Sequence, residues 1–387
     1  MSRSSAARVL AASAPFAGVA LALLTGVASP LAGQSRSDSR GATADTTPDM
    51  TIEAYEPRST LVVPGREIRS AKFPFVDVHL HLDGLMARPE LDRLVADMDR
   101  LNLAVAVNLS GGTGDRLASQ VRAFEAAYPG RFVVFANVDF SDIGDPEFGA
   151  LAARRLEEDV AHGAVGLKIF KSLGMSIRDA AGERVRVDDP RLDPIWAMAG
   201  ELGIPVLIHT ADPAEFWQPM DEHNERWLEL ELRPRRKREP PPTWEELIGE
   251  QHRMFRKHPE TTFIAAHLGW LGNDLGRLAA TLDSIPNMNV GLGAVIYEPG
   301  RQPRFARQFF VRYQDRILMG KDSWAPDEYP TYFRVLESAD EYFPYYRKYH
   351  AFWRMYGLHL PDEVLRKVYY ENALRIIPGI DRSRLPH

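Results

Sequence analysis

The sequence predicts an α/β fold, a TIM (β/α)8 barrel with a long lid after the fifth strand and extra C-terminal helices. Three observations predict it: eight short runs rich in Val, Ile, Phe and Ala, stretches of helical periodicity between them, and strict alternation of the two. Alternation demands parallel strands joined by right-handed crossovers, and eight such units close into a cylinder. An open doubly wound sheet is the competing architecture, but no Gly-rich phosphate loop follows the first strand.

The strands are expected at 73–82, 103–110, 132–140, 165–170, 205–211, 262–268, 289–293 and 317–323, and helices at 88–101, 115–128, 146–161, 192–202, 244–257 and 275–285. Residues 1–33 stand apart. Arg3 and Arg8 precede an apolar stretch from Phe16 to Val27, and small residues run on to Gly33, the layout of a secretory signal peptide. A retained anchor helix is the alternative reading; the apolar run is short for a membrane span, and a chain without cysteine has no lipobox. The protein is therefore expected to be exported, periplasmic or secreted, with no stable membrane anchor after cleavage. Residues 34–50, rich in Ser, Thr, Asp and Gly, suit a flexible linker, and 51–387 are expected to form the barrel domain.

With 45% hydrophobic and 26% charged residues among 387, the chain can bury a large core. The formal net charge is −6, two units more negative once the two leader arginines are removed, and no basic stripe runs along the main body. Nucleic acid is thus excluded as a partner, and a small-molecule substrate is expected. Zero cysteines exclude disulfides, thiolate ligands and a cysteine nucleophile, so any metal must use His, carboxylate or modified Lys.

Two insertions depart from a minimal barrel. Residues 212–243 leave from the end where barrels keep their active sites and read as a lid. Its basic run Arg233, Arg235, Arg236, Lys237 and Arg238 reads as a solvated charge cluster rather than an anion site. The aromatic-rich tail at 329–377 must cover something: the barrel itself, or a second subunit in a homo-oligomer.

Chemistry enters with Asp77–Val78–His79–Leu80–His81, where strand alternation points both imidazoles to one face. Alone the pair is weak, since 11 His in 387 residues give about 0.3 His-x-His pairs by chance. The context is stronger: His209, His267 and Asp322 each close a mostly apolar run, where a barrel gathers side chains around its mouth. His162, His223, His252 and His258 fall at a helix end, on the lid and on a polar helix face, and read as structural or surface residues.

On these residues the chain resembles the amidohydrolase superfamily, in its amidohydrolase-related branch of metal-dependent hydrolases and nonoxidative decarboxylases. The resemblance spans about Phe75 to Ile377. It rests on Val76–Asp77–Val78–His79–Leu80–His81, Gly166–Leu167–Lys168–Ile169, Ile208–His209, Ala266–His267–Leu268–Gly269, Gly320–Lys321–Asp322 and Glu371–Asn372–Ala373–Leu374–Arg375. It implies that His79, His81, His209 and Asp322 bind a divalent metal, zinc in the first instance. It also implies that Asp322 is catalytic and that His267 acts on water or substrate. Lys321 departs from the small polar residue often found before this aspartate, and alternation should turn it away from the metal.

Lys168 ends the fourth strand, where some superfamily members carry a carboxylated lysine bridging two ions. It and His267 could complete a second metal site, while an unmodified Lys168 would pair with Asp322 or hold a substrate carboxylate; one ion is the expectation. Lys171 reads as a loop-surface charge. By position alone, Asp212, Phe216, Asn224, Arg226 and Trp227 on the lid, with Glu298 and Arg301 after the seventh strand, are candidate substrate contacts. The expected reaction is hydrolysis of a small amide, lactone or ester. Decarboxylation on the same site and a non-catalytic exported binding barrel are the alternatives.

Overall fold

The computed structural model describes residues 49–386 apart from 53, 66 and 83–86. The expected signal peptide at 1–33 and the linker as far as residue 48 lie outside the described residues. The chain divides into two compact units, Met1–Pro57 and Arg58–His387. In the first, the N–H groups of Ala54 and Tyr55 close a turn on the Thr51 carbonyl. No described helix is long and apolar enough to cross a membrane.

The second unit is a closed parallel barrel. Its strands are β1 (Phe75–His81), β2 (Leu103–Asn108), β3 (Phe132–Asn137), β4 (Ala164–Ile169), β5 (Val206–Ile208), β6 (Phe263–Ala265), β7 (Met288–Gly291), β8 (Ile317–Leu318) and β9 (Asp322–Ser323). Each pairs with the next in parallel from β1 to β8, and β9 pairs with β1 in the register Leu80↔Asp322 and His81↔Ser323. β8 and β9 are two halves of the eighth strand. Between them the Val78 N–H donates to Met319 O at 3.0 Å, and the Lys321 N–H donates to the Asp77 side chain at 3.2 Å. A buried carboxyl thus takes over a ladder position at the seam where the barrel closes.

Strands buried on both faces read as unbroken apolar runs, because side chains fill the barrel interior while helices cover its outside. Val105, Val107, Phe135, Leu167, Val206, Ile208, Ile264 and Val290 are all essentially inaccessible. The expected helices form with ends shifted by at most two residues. Local chemistry sets those ends. Thr243 and Glu246 make a reciprocal capping box at the start of Trp244–Lys257, whose first turn is acidic and last turn basic. Asp274 accepts from the Arg277 N–H to start Leu275–Ser284.

Four features refine or correct the expectation. The sixth strand ends at Ala265 rather than 268, because the chain turns left-handed at His267. The basic run on the lid is largely neutralised: Arg236 pairs with Glu229, Lys237 with Glu239 and Arg238 with Asp212. Lys171, half exposed on its loop, pairs with Asp212 at 2.6 Å. His252 is buried, and desolvation pushes its imidazole down to about 4.

The tail lies on the barrel. Tyr329, Phe333 and Tyr369 ring Phe75 of β1 at centroid distances of 5.9, 5.4 and 6.0 Å. Most of its aromatic area is therefore core, while Phe352 and Tyr342 stay exposed.

Candidate metal centre

Strand alternation and strand ends bring the chemistry to one rim. His79 and His81 leave the C-terminal end of β1, Lys168 that of β4 and Asp322 opens β9, while His209 and His267 follow β5 and β6. Among the described residues, one group of three can offer donors within 4.8 Å of one another: His79, His81 and Asp322. Asp322 Oδ1 lies 3.3 Å from His79 Nε2 and 3.6 Å from His81 Nε2. His209 stands outside this close group. It is joined to it through His267, whose ring lies 4.3 Å from that of His209 and 5.0 Å from that of His79.

The electrostatics suit cation binding. Burial and the nearby Lys168 hold His79 well below the usual imidazole range, so it is neutral and offers a lone pair from one ring nitrogen. Burial and His267 do the same for His209. Burial alone would raise the Asp322 carboxyl, but His79, His267 and His81 hold it well below the usual carboxylate range. Burial pushes Lys168 down to about 7, partly offset by Asp322.

A buried polar atom without a partner costs roughly 1–3 kcal/mol, so a cluster of them calls for a ligand. Both ring nitrogens of His79, His209 Nε2 and Lys168 Nζ are buried and make no hydrogen bond among the described residues. Imidazole and carboxylate donors gathered at a barrel mouth fit a divalent metal ion.

Neighbouring groups hold the donors in place. Ser110 Oγ sits 3.0 Å from His81 Nδ1, which leaves Nε2 toward Asp322. Asp77 Oδ1 accepts the His79 N–H at 2.9 Å, and Oδ2 accepts the Tyr329 hydroxyl at 2.7 Å. Gly293 and Gly320 flank His79 so closely that a Cβ on either would lie 2.8 Å from its Nδ1 or 2.9 Å from its Cβ. Lys321 turns away to Glu328 at 2.5 Å.

The backbone is strained here. His267, Leu268, Gly269 and Trp270 have φ of +58°, +54°, +60° and +55°, and Asp322 has +83°. Each non-glycine residue in that region costs roughly 1–2 kcal/mol, a cost that persists only where packing over-determines the conformation. Trp270 stacks on the His267 ring at 4.5 Å and 27°.

The candidate substrate contacts are engaged with the protein itself. Asp212 is bound by Lys171 and Arg238. The Asn224 amide donates to Glu215 O and Pro219 O, which ties the lid to itself. Arg226 is buried on Glu229, His350 O and the Tyr297 hydroxyl, and Arg301 pairs with Glu225 and Glu298. Phe216 is buried, and half-buried Trp227 starts the helix Trp227–Leu232. Beside His267 they leave a cavity of about 10 Å³, lined among others by Glu215, Arg226, Trp270, Tyr297 and Glu298, with room for about one water.

Ser110, Gly293 and the second role of Asp77 were not singled out from the sequence. Only Asp77 carried a signal, an acid in an apolar strand two residues before a site histidine.

The chain is similar to several solved structures. An uncharacterized TIM-barrel protein from Bordetella bronchiseptica is 16% identical with a TM-score of 0.49, over 78% of this chain and 97% of that one. A dihydroxybenzoic acid decarboxylase from Polaromonas sp. JS666, with bound manganese and 2-nitroresorcinol, is 17% identical with a TM-score of 0.49, over 81% and 100%. A protein described as a probable 2-pyrone-4,6-dicarboxylic acid hydrolase from Acinetobacter baumannii is 13% identical with a TM-score of 0.41, over 78% and 98%. At these identities and scores none of the three bears on the reaction of this chain. A search of curated proteins finds no match. The amidohydrolase family model matches residues 76–379, more than three quarters of the sequence and every rim residue described above, and the chain belongs to that family.

Proposed function

We propose that the protein is a metal-dependent hydrolase that opens a small amide, lactone or ester. One observation carries the reading: His79, His81 and Asp322 converge within 4.8 Å, with His79 wholly buried and neither of its ring nitrogens hydrogen-bonded. His79, His81, His209 and Asp322 would hold one divalent ion, zinc in the first instance. When bound, such an ion acidifies a water toward a pKa of about 7 and polarises a substrate carbonyl.

The chain's own groups supply the rest. Asp322, ionised at neutral pH, takes the proton of the attacking water and passes it to the leaving atom. Lys168, buried and taken in this reading as an unmodified amine, faces the developing oxyanion with positive charge for part of its population at pH 7. Phe170, whose ring lies 5.6 Å from that of His81, gives the substrate an apolar wall. The layout of residues 1–33 supports export of the mature enzyme.

Metal analysis after zinc reconstitution, with His79→Ala as control, tests the centre; about one ion per chain is expected, lost in the variant. The loaded enzyme is then assayed on a panel of small lactones, amides and carboxylates. Ring or amide opening is the expected result, and carbon dioxide release without hydrolysis would overturn the hydrolase reading.

A further inference from the structure

The helix Pro303–Arg312 turns Ala306, Phe309 and Phe310 into the core, as an amphipathic helix should. Its outer stripe is less ordinary. Arg304, Phe305, Gln308, Val311 and Arg312 follow one another at helical spacing and are all exposed, Phe305 by 47% and Val311 by 38%. Two large apolar side chains left in water, with arginines beside them, form the kind of patch that another surface covers.

Beside the stripe runs a groove of about 630 Å³, lined among others by Arg304 and Phe305 on the helix and by Ala339, Glu341, Tyr356 and Gly357 across from it. Backbone hydrogen bonds hold the facing wall: the Tyr356 N–H donates to Gly300 O and the Gly357 N–H to Asp340 O, both at 2.8 Å. Tyr342, 43% exposed, stands with its ring 6.4 Å from that of Tyr356. A second hollow of about 600 Å³ is lined by Arg304, Arg307, Gln308, Val311 and Arg312, so the apolar surface continues along the helix.

The groove carries both signs of charge. Arg304 stands on one side and Glu341 on the other; both are exposed, and neither side chain has a hydrogen-bond or ion-pair partner among the described residues. Arg312, by contrast, is held by Asp283 at 2.8 Å. A peptide of one charge would satisfy Arg304 or Glu341 and oppose the other. A two-fold axis satisfies both, because the same patch then meets itself and every contact occurs twice. We propose that this face docks a second copy of the chain about a two-fold axis through the groove, with Arg304 of each copy on the partner's Glu341 and Phe305 covered between them. An aromatic centre with arginine and a charged edge is the composition that subunit interfaces favour. None of these residues belongs to the metal centre, so association does not depend on the proposed reaction.

Sedimentation velocity on the full chain over a wide range of concentration should show a dimer that dissociates on dilution. Arg304→Glu and Glu341→Arg each set like charges face to face twice per dimer, and each should weaken self-association about 10–100-fold. Mixed in equal amounts, the two variants should regain the wild-type affinity, because each contact of the mixed dimer again joins unlike charges. The chain has no cysteine, so Phe305→Cys introduces a single thiol. That thiol should become shielded from maleimide as concentration rises, and should link two copies on oxidation. Thermal melting of all three variants should match wild type, since the replaced side chains are exposed.

A wild-type chain that stays monomeric would overturn the proposal. In that case a thiol shielded at every concentration would show the groove filled by the chain's own amino-terminal residues, and an unshielded one would show it open. A dimer that survives both charge reversals, or a mixture that fails to regain affinity, would place the contact elsewhere and equally overturn it. If a charge variant fails to fold, the thiol decides, and shielding that does not change with concentration counts against the second copy.

Discussion

Replacing Asp77 by Asn should stabilise the metal-free protein at pH 8 and change little at pH 4. The side chain is completely buried; Oδ1 accepts the N–H groups of His79 and Lys321 at 2.9 and 3.2 Å, and Oδ2 accepts the Tyr329 hydroxyl at 2.7 Å. Burial nonetheless pushes its carboxyl up from 3.8 to about 7, because three hydrogen bonds and Lys321 do not repay the lost hydration. Between those two values the folded chain keeps a proton that the unfolded chain has released. The stabilising effect of the folded-state proton is therefore complete below 3.8 and is lost as pH rises through 7.

At about 1.4 kcal/mol per pH unit, that window amounts to roughly 4 kcal/mol. Asparagine keeps an acceptor for both N–H groups and turns its amide toward the Tyr329 oxygen, with no proton to lose. The difference in unfolding free energy between Asp77→Asn and wild type should be near zero at pH 4 and climb to about 4 kcal/mol at pH 8. Urea denaturation of both proteins in chelator at several pH values measures it, and titrations shared by the two cancel in the difference. A difference that stays flat from pH 4 to 8 would refute the argument, because Asp77 would then ionise as freely in the fold as outside it.

Two further substitutions probe the rim. Asp322→Asn suits the left-handed backbone at φ +83°, which Asn tolerates, so folding should change by only about 1 kcal/mol while turnover at saturating zinc falls about 10²–10⁴-fold. Thermal melting beside steady-state kinetics separates the two, and equal losses in both would mark a structural carboxylate. Gly293→Ala places a methyl 2.8 Å from His79 Nδ1 and should cost about 1–3 kcal/mol of stability. It should also weaken zinc binding about 10-fold or more in a chelator titration. Unaltered affinity would show that His79 has room to move.

Barrel architecture was legible because it is written in local patterns. Apolar runs and helical periodicity are properties of neighbouring residues, which is why Trp244–Lys257 begins and ends as expected. The His79 and His81 pair could be placed on one face for the same reason. Other features were not local. The seam at Asp77 exists because residue 321 has no strand partner there, and two chain positions 244 apart meet. The basic run on the lid was legible only in part: Arg233 and Arg235 are exposed, while Arg236 and Arg238 pair with Glu229 and Asp212, whose burial no neighbour in sequence announces.

By itself the sequence determined the alternation of strand and helix, the order in which His79, His81, Lys168, His209, His267 and Asp322 reach one rim, and the absence of any thiolate among them. Only the tertiary structure decided which of those groups stand within 4.8 Å, that His209 lies outside them, and that His267 lies 2.6 Å from Gly293 O and 3.1 Å from His209 Nδ1. Side-chain periodicity is a property of consecutive residues, whereas a hydrogen bond between imidazoles 58 positions apart depends on how the closed barrel sets its strands side by side.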